Sequence, residues 1–122
     1  MGADRNVARR MDPPGAESDD PLEKLRRAFI VRLGEDRVRF LALRAALGAR
    51  QVPPEAIVAE LRARAHKMRG AAAIFEMREL CAAASLLEDA TIAASVQVKQ
   101  GEAMVEAPLG ALIDFLEPLT SG

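Results

Sequence analysis

The chain has 122 residues, half of them hydrophobic but only four aromatic, all phenylalanine, and a formal net charge of −1. This length suits one domain with a core of its own, and the wealth of alanine and leucine favours helices over sheet. Near-neutrality points to neither nucleic acid nor membrane, and a single cysteine, Cys81, excludes an internal disulfide and a cysteine-based zinc site.

Residues 1–19 are polar, contain Pro13-Pro14-Gly15 and lack a helical period, so a disordered leader is expected there, with the folded domain over 20–122. Order is expected from Asp20-Pro21-Leu22-Glu23, where Asp20 caps, Pro21 takes the first helical position and Glu23 closes a capping box. A first helix then runs to about Leu33, with Leu22, Leu25, Phe29 and Leu33 on one side, and Gly34 ends it in a left-handed conformation. A second covers Glu35 to Leu47, burying Val38, Leu41 and Ala45 with Phe40 and Leu47 flanking. Gly48 closes it, and Val52-Pro53-Pro54 forces a break.

The third predicted helix starts near Pro54-Glu55 and ends between Gly70 and Phe75. The fourth runs from about Glu76 to Ala94, with Met77, Leu80, Cys81, Ala84, Leu87 and Thr91 inward, which makes Cys81 a buried small hydrophobe. After a connection over 95–101, the last spans about Glu102 to Leu116, with Val105, Leu109, Leu112 and Leu116 in phase. Pro108 either kinks it or starts it. Four long amphipathic segments with short loops make an all-α, up-and-down four-helix bundle, and the 20–33 helix becomes an additional N-terminal capping helix. No apolar run approaches the roughly 18 residues of a membrane span and no signal-peptide core is present, so a cytoplasmic protein is the simplest expectation.

The stretch Leu61 to Leu80 holds the only histidine, His66. With Ile57 set at zero on a helical wheel, Leu61, Ala65, Met68 and Ala72 fall at roughly 40°, 80°, 20° and 60°, while His66 falls at about 180°. His66 therefore faces solvent as its helix packs inward. On its face lie the cations Arg62 and Arg69 beside Gly70 and Ala73, which have almost no side chain, whereas Lys67 points about 100° away. Charge is uneven too: residues 20–69 carry 12 Lys/Arg against 6 Asp/Glu, and 70–122 carry 2 against 8. Solvated basic faces explain this blandly, yet the basic half is also the one that holds His66 and favours an acidic partner.

The pattern Ala65-His66-x-x-Arg69-Gly70-x-x-Ala73-x-Phe75, with Leu80 and Leu87-Glu88, resembles the histidine-containing phosphotransfer (HPt) domains of bacterial multistep phosphorelays. As a helical pattern the resemblance spans most of 20–118; its specific part is about a dozen positions around His66. Three positions depart from the usual pattern: Arg69 stands where lysine is usual, Glu76 where glycine is frequent, and Ala71 where serine is common. Arg69 keeps the charge but replaces a point charge by a planar fork.

The resemblance implies that His66 attacks the phosphorus of an aspartyl phosphate on a receiver domain and later surrenders the group to another aspartate. An unperturbed imidazole is neutral and nucleophilic near physiological pH, and such transfer is mostly positioning and charge neutralisation. Arg69 would stabilise the phosphoryl oxygens by charge-assisted hydrogen bonds, and Arg62, Lys67, Gly70 and Ala73 would meet the partner. Gly70 needs a reason, because a glycine inside a helix costs about 1 kcal/mol relative to alanine; leaving room for the partner's loop is one, and capping the helix end is another. No cofactor and no metal site is expected in this chain, since one histidine and one cysteine cannot supply a transition-metal site and any magnesium would come with the receiver. No Walker loop or GxGxxG is present, so the expected protein is a carrier and not a kinase, and a stand-alone monomer.

Two other readings compete. A helical adaptor would keep the bundle and dock on a receiver or histidine kinase without using His66. A small nucleic-acid binder would use the arginine-rich half, but the net charge is wrong and no aromatic residue lies on the basic face for stacking. A lone exposed histidine is more often an ordinary surface residue. The coincidence of the sole histidine, out of phase with the core and flanked by Arg and Gly at family spacing, weighs against that.

Overall fold

The computed structural model describes residues 20–50, 52–97 and 101–121. Within them lie four helices and no strand: α1 (Pro21–Ala49), α2 (Pro54–Ile74), α3 (Arg78–Val96) and α4 (Gly101–Thr120). Each packs on its neighbours in sequence, and α4 closes the ring against α1. The expected leader, 1–19, lies outside the described residues.

The sharpest departure from the sequence reading is at Gly34. No helix ends there: residues 21–49 form one helix of 29 residues, so the expected capping helix is the N-terminal half of α1. The reason is energetic. An interior glycine costs about 1 kcal/mol, whereas each large apolar side chain buried by continuing the helix returns roughly 1.5–3 kcal/mol. Phe29, Leu33, Phe40, Leu43 and Leu47 form a single buried stripe running straight through Gly34. The expected inward set Val38, Leu41 and Ala45 is corrected accordingly: Val38 and Ala45 are exposed and Leu41 is only half-buried. Gly48 is likewise helical, and the left-handed residue closing α1 is Arg50, at φ 58°.

Leu22 and Leu25 share the phase of the stripe yet are more than half exposed. Phe29 stacks on Phe75, just past the end of α2, with ring centroids 5.4 Å apart, and Gly34 lies beside Thr120 near the end of α4. The first two turns of α1 therefore overhang the bundle. Asp20 caps them as expected, its Oδ1 accepting from the Leu22 N–H at 3.0 Å, while Glu23 lies 3.9 Å from Arg27 one turn on.

α2 follows the sequence reading closely. Pro54 opens it, and Ile57, Leu61, Ala65, Met68 and Ala72 are all buried. Its end is a Schellman arrangement: Met77 N–H donates to the Ala72 carbonyl at 2.9 Å and Glu76 N–H to that of Ala73 at 3.2 Å. This places Glu76 in the left-handed region, φ 57°, where glycine is the usual residue. In α3, Leu80, Ala84, Leu87 and Thr91 are buried as expected, while Cys81, and Met77 just before the helix, are only half-buried. α4 neither starts nor stops at Pro108; the helix passes through it, and through Pro118, with Val105, Leu109, Leu112, Ile113 and Leu116 inward.

The α1–α2 seam is partly ionic. Arg39 donates to both oxygens of Glu60 (Nε 2.6 Å, Nη2 2.7 Å), and Arg64 spans Glu60 at 2.7 Å and Asp36 at 2.8 Å. The Arg39 hydrogen bonds, against an opposing desolvation and with help from Arg64, hold Glu60 down at about 2. Burial pushes Asp36 above its ordinary value, against the pull of Arg64.

Candidate functional site

The second seam, between α2 and α3, carries His66. Its phase on α2 leaves the imidazole side chain 66% exposed, while Glu88, reaching across from α3, is 9% exposed. His66 Nδ1 lies 2.7 Å from Glu88 Oε2, and Arg69 Nη1 donates to the other oxygen, Oε1, at 2.9 Å. One buried carboxylate thus holds both the histidine and the cation one turn further along the helix. Thr91, fully buried one turn below, donates its hydroxyl to the Glu88 backbone carbonyl at 2.6 Å, so the two carboxylate oxygens are left to His66 and Arg69.

This arrangement settles a chemical asymmetry. A carboxylate only accepts, so the ring nitrogen facing Glu88 bears the proton and the neutral ring keeps its lone pair on Nε2. Nε2 is then the ring atom left with an unengaged lone pair on the exposed side. Burying a carboxylate is costly unless its lone pairs are satisfied; here each oxygen has a donor, one of them a guanidinium.

His66 and Glu88 open onto a groove of ≈ 640 Å³ that runs along the α2–α3 seam to the start of α4. Arg62 lines it with them, as do Val58, Ala63, Thr91 and Ala94. Arg62, Gly70 and Ala73 are all exposed. Gly70 sits inside α2 and not at its cap; a Cβ added there would meet nothing within 4 Å. Lys67 is separated from the others: it lines the α1–α2 side with Arg32, Arg39 and Arg64. The residue that sequence reasoning missed is Glu88. Its signal was the Leu87-Glu88 pair of the family pattern and a carboxylate beside the inward phase of α3, but no role followed from either.

Among the described residues no group of three or more His, Cys, Asp or Glu side chains is placed to hold a metal ion, and no helix is long and apolar enough to cross a membrane. A family model described as Hpt domain matches residues 16–119. No curated protein and no solved structure matches the chain.

Proposed function

Because the chain belongs to the Hpt domain family, whose members serve phosphotransfer in phosphorelays, we propose that it is a phosphoryl carrier that uses His66 to shuttle the group between aspartates of receiver domains. The observation that carries this reading is the clamp on Nδ1: a buried Glu88 holds one nitrogen of an exposed ring and leaves the other free to react. A buried carboxylate shared between Arg69 and an exposed histidine supports a task for that histidine, since burying such a charge is costly unless it is well paired. An adaptor that docks without carrying phosphate would keep the bundle and the basic face without depending on His66, and the transfer experiment separates the two.

In this reading Nε2 attacks the phosphorus of a receiver's aspartyl phosphate, forming an N–P bond as the P–O bond to the carboxylate breaks. The second transfer reverses this onto a different aspartate. Arg69 and Arg62 share the face of His66 and supply positive charge where the phosphoryl oxygens arrive. Arg69 does so with the donors that Glu88 leaves free. Gly70 and Ala73 let the partner's loop come close, and Lys67 meets the partner from the other flank of α2. Magnesium is brought by the receiver. The chain works as a monomeric carrier in the cytoplasm, without kinase activity of its own.

The test is transfer of labelled phosphate from a panel of phosphorylated receiver domains, wild type beside His66→Gln. Label on wild type alone, lost in acid and stable in alkali as a phosphoramidate is, is the expected result. Binding of a receiver without any label would overturn the carrier reading in favour of the adaptor.

A further inference from the structure

The apolar stripe that α1 buries does not stop where the core stops. On a helical wheel with Phe29 at zero, Leu22 falls at about 20° and Leu25 at about −40°, yet they are 55% and 60% exposed. The stack of Phe29 on Phe75, just past the end of α2, marks the edge of the packed bundle. Ahead of it Pro21–Ala28 project for about 12 Å at the ordinary helical rise. Local chemistry holds these turns helical: Asp20 caps them, Pro21 takes the first position, and Glu23 lies 3.9 Å from Arg27. Their apolar face looks across the end of the bundle, where Ile74, next to Phe75, is a third exposed apolar side chain at 70%.

Charge and size say what fits there. Between Pro21 and Arg32 the helix carries Lys24, Arg26, Arg27 and Arg32 against one carboxylate, Glu23, which lies beside Arg27. Lys24, Arg26 and Arg32 form no ion pair among the described residues. Glu35 lines the α1–α2 groove with Arg32, which still leaves a positive excess. Arg26 and Arg32 fall at about 60° and −60° on the same wheel, one on either flank of the leucines. An apolar strip flanked by cations is complemented by an apolar ridge flanked by carboxylates. A helix with its side chains is about 10–12 Å across, the length of the projecting arm. A second copy of this chain would bring the same cations and be repelled. The leucines face the bundle end and not outward, which suits a rod laid into the angle between α1 and the end of α2 better than a flat bilayer.

We propose that the projecting start of α1 is a docking arm for one acidic amphipathic helix of a partner protein, with the partner's apolar ridge on Leu22, Leu25 and Ile74 and its carboxylates on Arg26 and Arg32. The surface is separate from the histidine, whose groove runs along the other seam of α2, and the inference stands without the carrier reading. A helix bound to the arm leaves the face of His66 uncovered, so the chain is held through one surface while it works through another.

The experiment titrates the ¹⁵N-labelled full chain with a synthetic helix of about 18 residues, its leucines at i, i+3, i+4, i+7 spacing and flanked by glutamates. A twin with lysine for each glutamate, and vesicles of phosphatidylglycerol and phosphatidylcholine, are titrated beside it. The expected result is saturable binding of the acidic helix that weakens with salt, with NMR shifts at Leu22, Leu25 and Ile74 and none at His66. The lysine twin should bind about tenfold more weakly, or less. Leu22→Gln with Leu25→Gln replaces exposed side chains by one of similar helix propensity, so circular dichroism should stay unchanged while binding falls about tenfold. Arg26→Glu with Arg32→Glu should reverse the preference between the two helices. Binding of neither helix, equal binding of both, shifts centred on His66, or affinity that survives the leucine exchange overturns the proposal. So does preference for the vesicles, which assigns the arm to a membrane, and self-association through the leucines in sedimentation, which assigns it to a second copy. The leucine variant should still pass phosphoryl groups at the wild-type rate; a loss there would fold the arm into the receiver's own docking face and overturn its separateness.

Discussion

Replacing Gly70 by alanine is expected to make the protein more stable, and replacing it by leucine to do so while slowing transfer. Gly70 lies inside α2, four residues before its end, and no glycine among the described residues has a positive φ. Neither backbone conformation nor packing asks for glycine, since a Cβ there meets nothing within 4 Å. An interior glycine is less favourable than alanine by about 0.8–1.0 kcal/mol, largely because it leaves the unfolded chain more freedom. With no clash to subtract, nearly all of that should be recovered, raising the melting temperature by about 3–5 °C in a chain of this length. Urea denaturation followed by circular dichroism should show a higher midpoint at unchanged slope. Leucine has nearly the same helix propensity as alanine, so Gly70→Leu should match this gain while its side chain stands where a partner must approach. Gly70→Ala no more stable than wild type would refute the claim of unstrained, open surroundings. A stabilised Gly70→Leu that transfers phosphoryl at the wild-type rate would refute the claim that the glycine is kept for access.

Glu76→Gly should also stabilise, by about 1 kcal/mol, because glycine occupies without strain the left-handed position at the end of α2 that a side chain resists; thermal denaturation checks it, and no change or a loss would contradict the Schellman assignment. Glu60, held at about 2 chiefly by the Arg39 hydrogen bonds, stabilises the fold fully above the ordinary carboxylate range, and that contribution is lost as pH falls towards 2. Asp36, raised by burial, acts in the opposite sense: its penalty is present above its folded value and vanishes below its ordinary one. Glu60→Gln should therefore lower stability at neutral pH by on the order of 1 kcal/mol, modest because the pair is partly solvent-exposed, and the gap to wild type should close as a urea series is carried to low pH. A gap that stays constant down to strong acid would mean that the carboxylate's charge is not what matters.

Much of the bundle was legible because it rests on local periodicity. The α2 stripe of Ile57, Leu61, Ala65, Met68 and Ala72 follows from the helical repeat alone, as does the outward phase of His66, and the proline pair 53–54 could only break the chain. Gly34 was misread for the same reason that α2 was read correctly: a local rule ends helices at glycine, and restarting the phase there turned the next stretch to the wrong face. Carried through Gly34 by steps of seven, three and four, the stripe of Phe29 and Leu33 lands on Phe40, Leu43 and Leu47. Whether the chain continues is decided by apolar area that only the packed bundle supplies, and so is the exposure of Leu22 and Leu25, which share the stripe but outrun their partners.

The site divides along the same line. His66, Arg69 and Gly70 lie within one turn or so of one helix, so their shared face follows from sequence spacing. Which nitrogen of His66 is held, that one carboxylate serves both His66 and Arg69, and that Lys67 belongs to the other flank depend on how α3 and α1 lie against α2. Residues 66 and 88 are 22 positions apart on different helices, and no local periodicity relates them; only the side-by-side packing of those helices brings Nδ1 to Oε2.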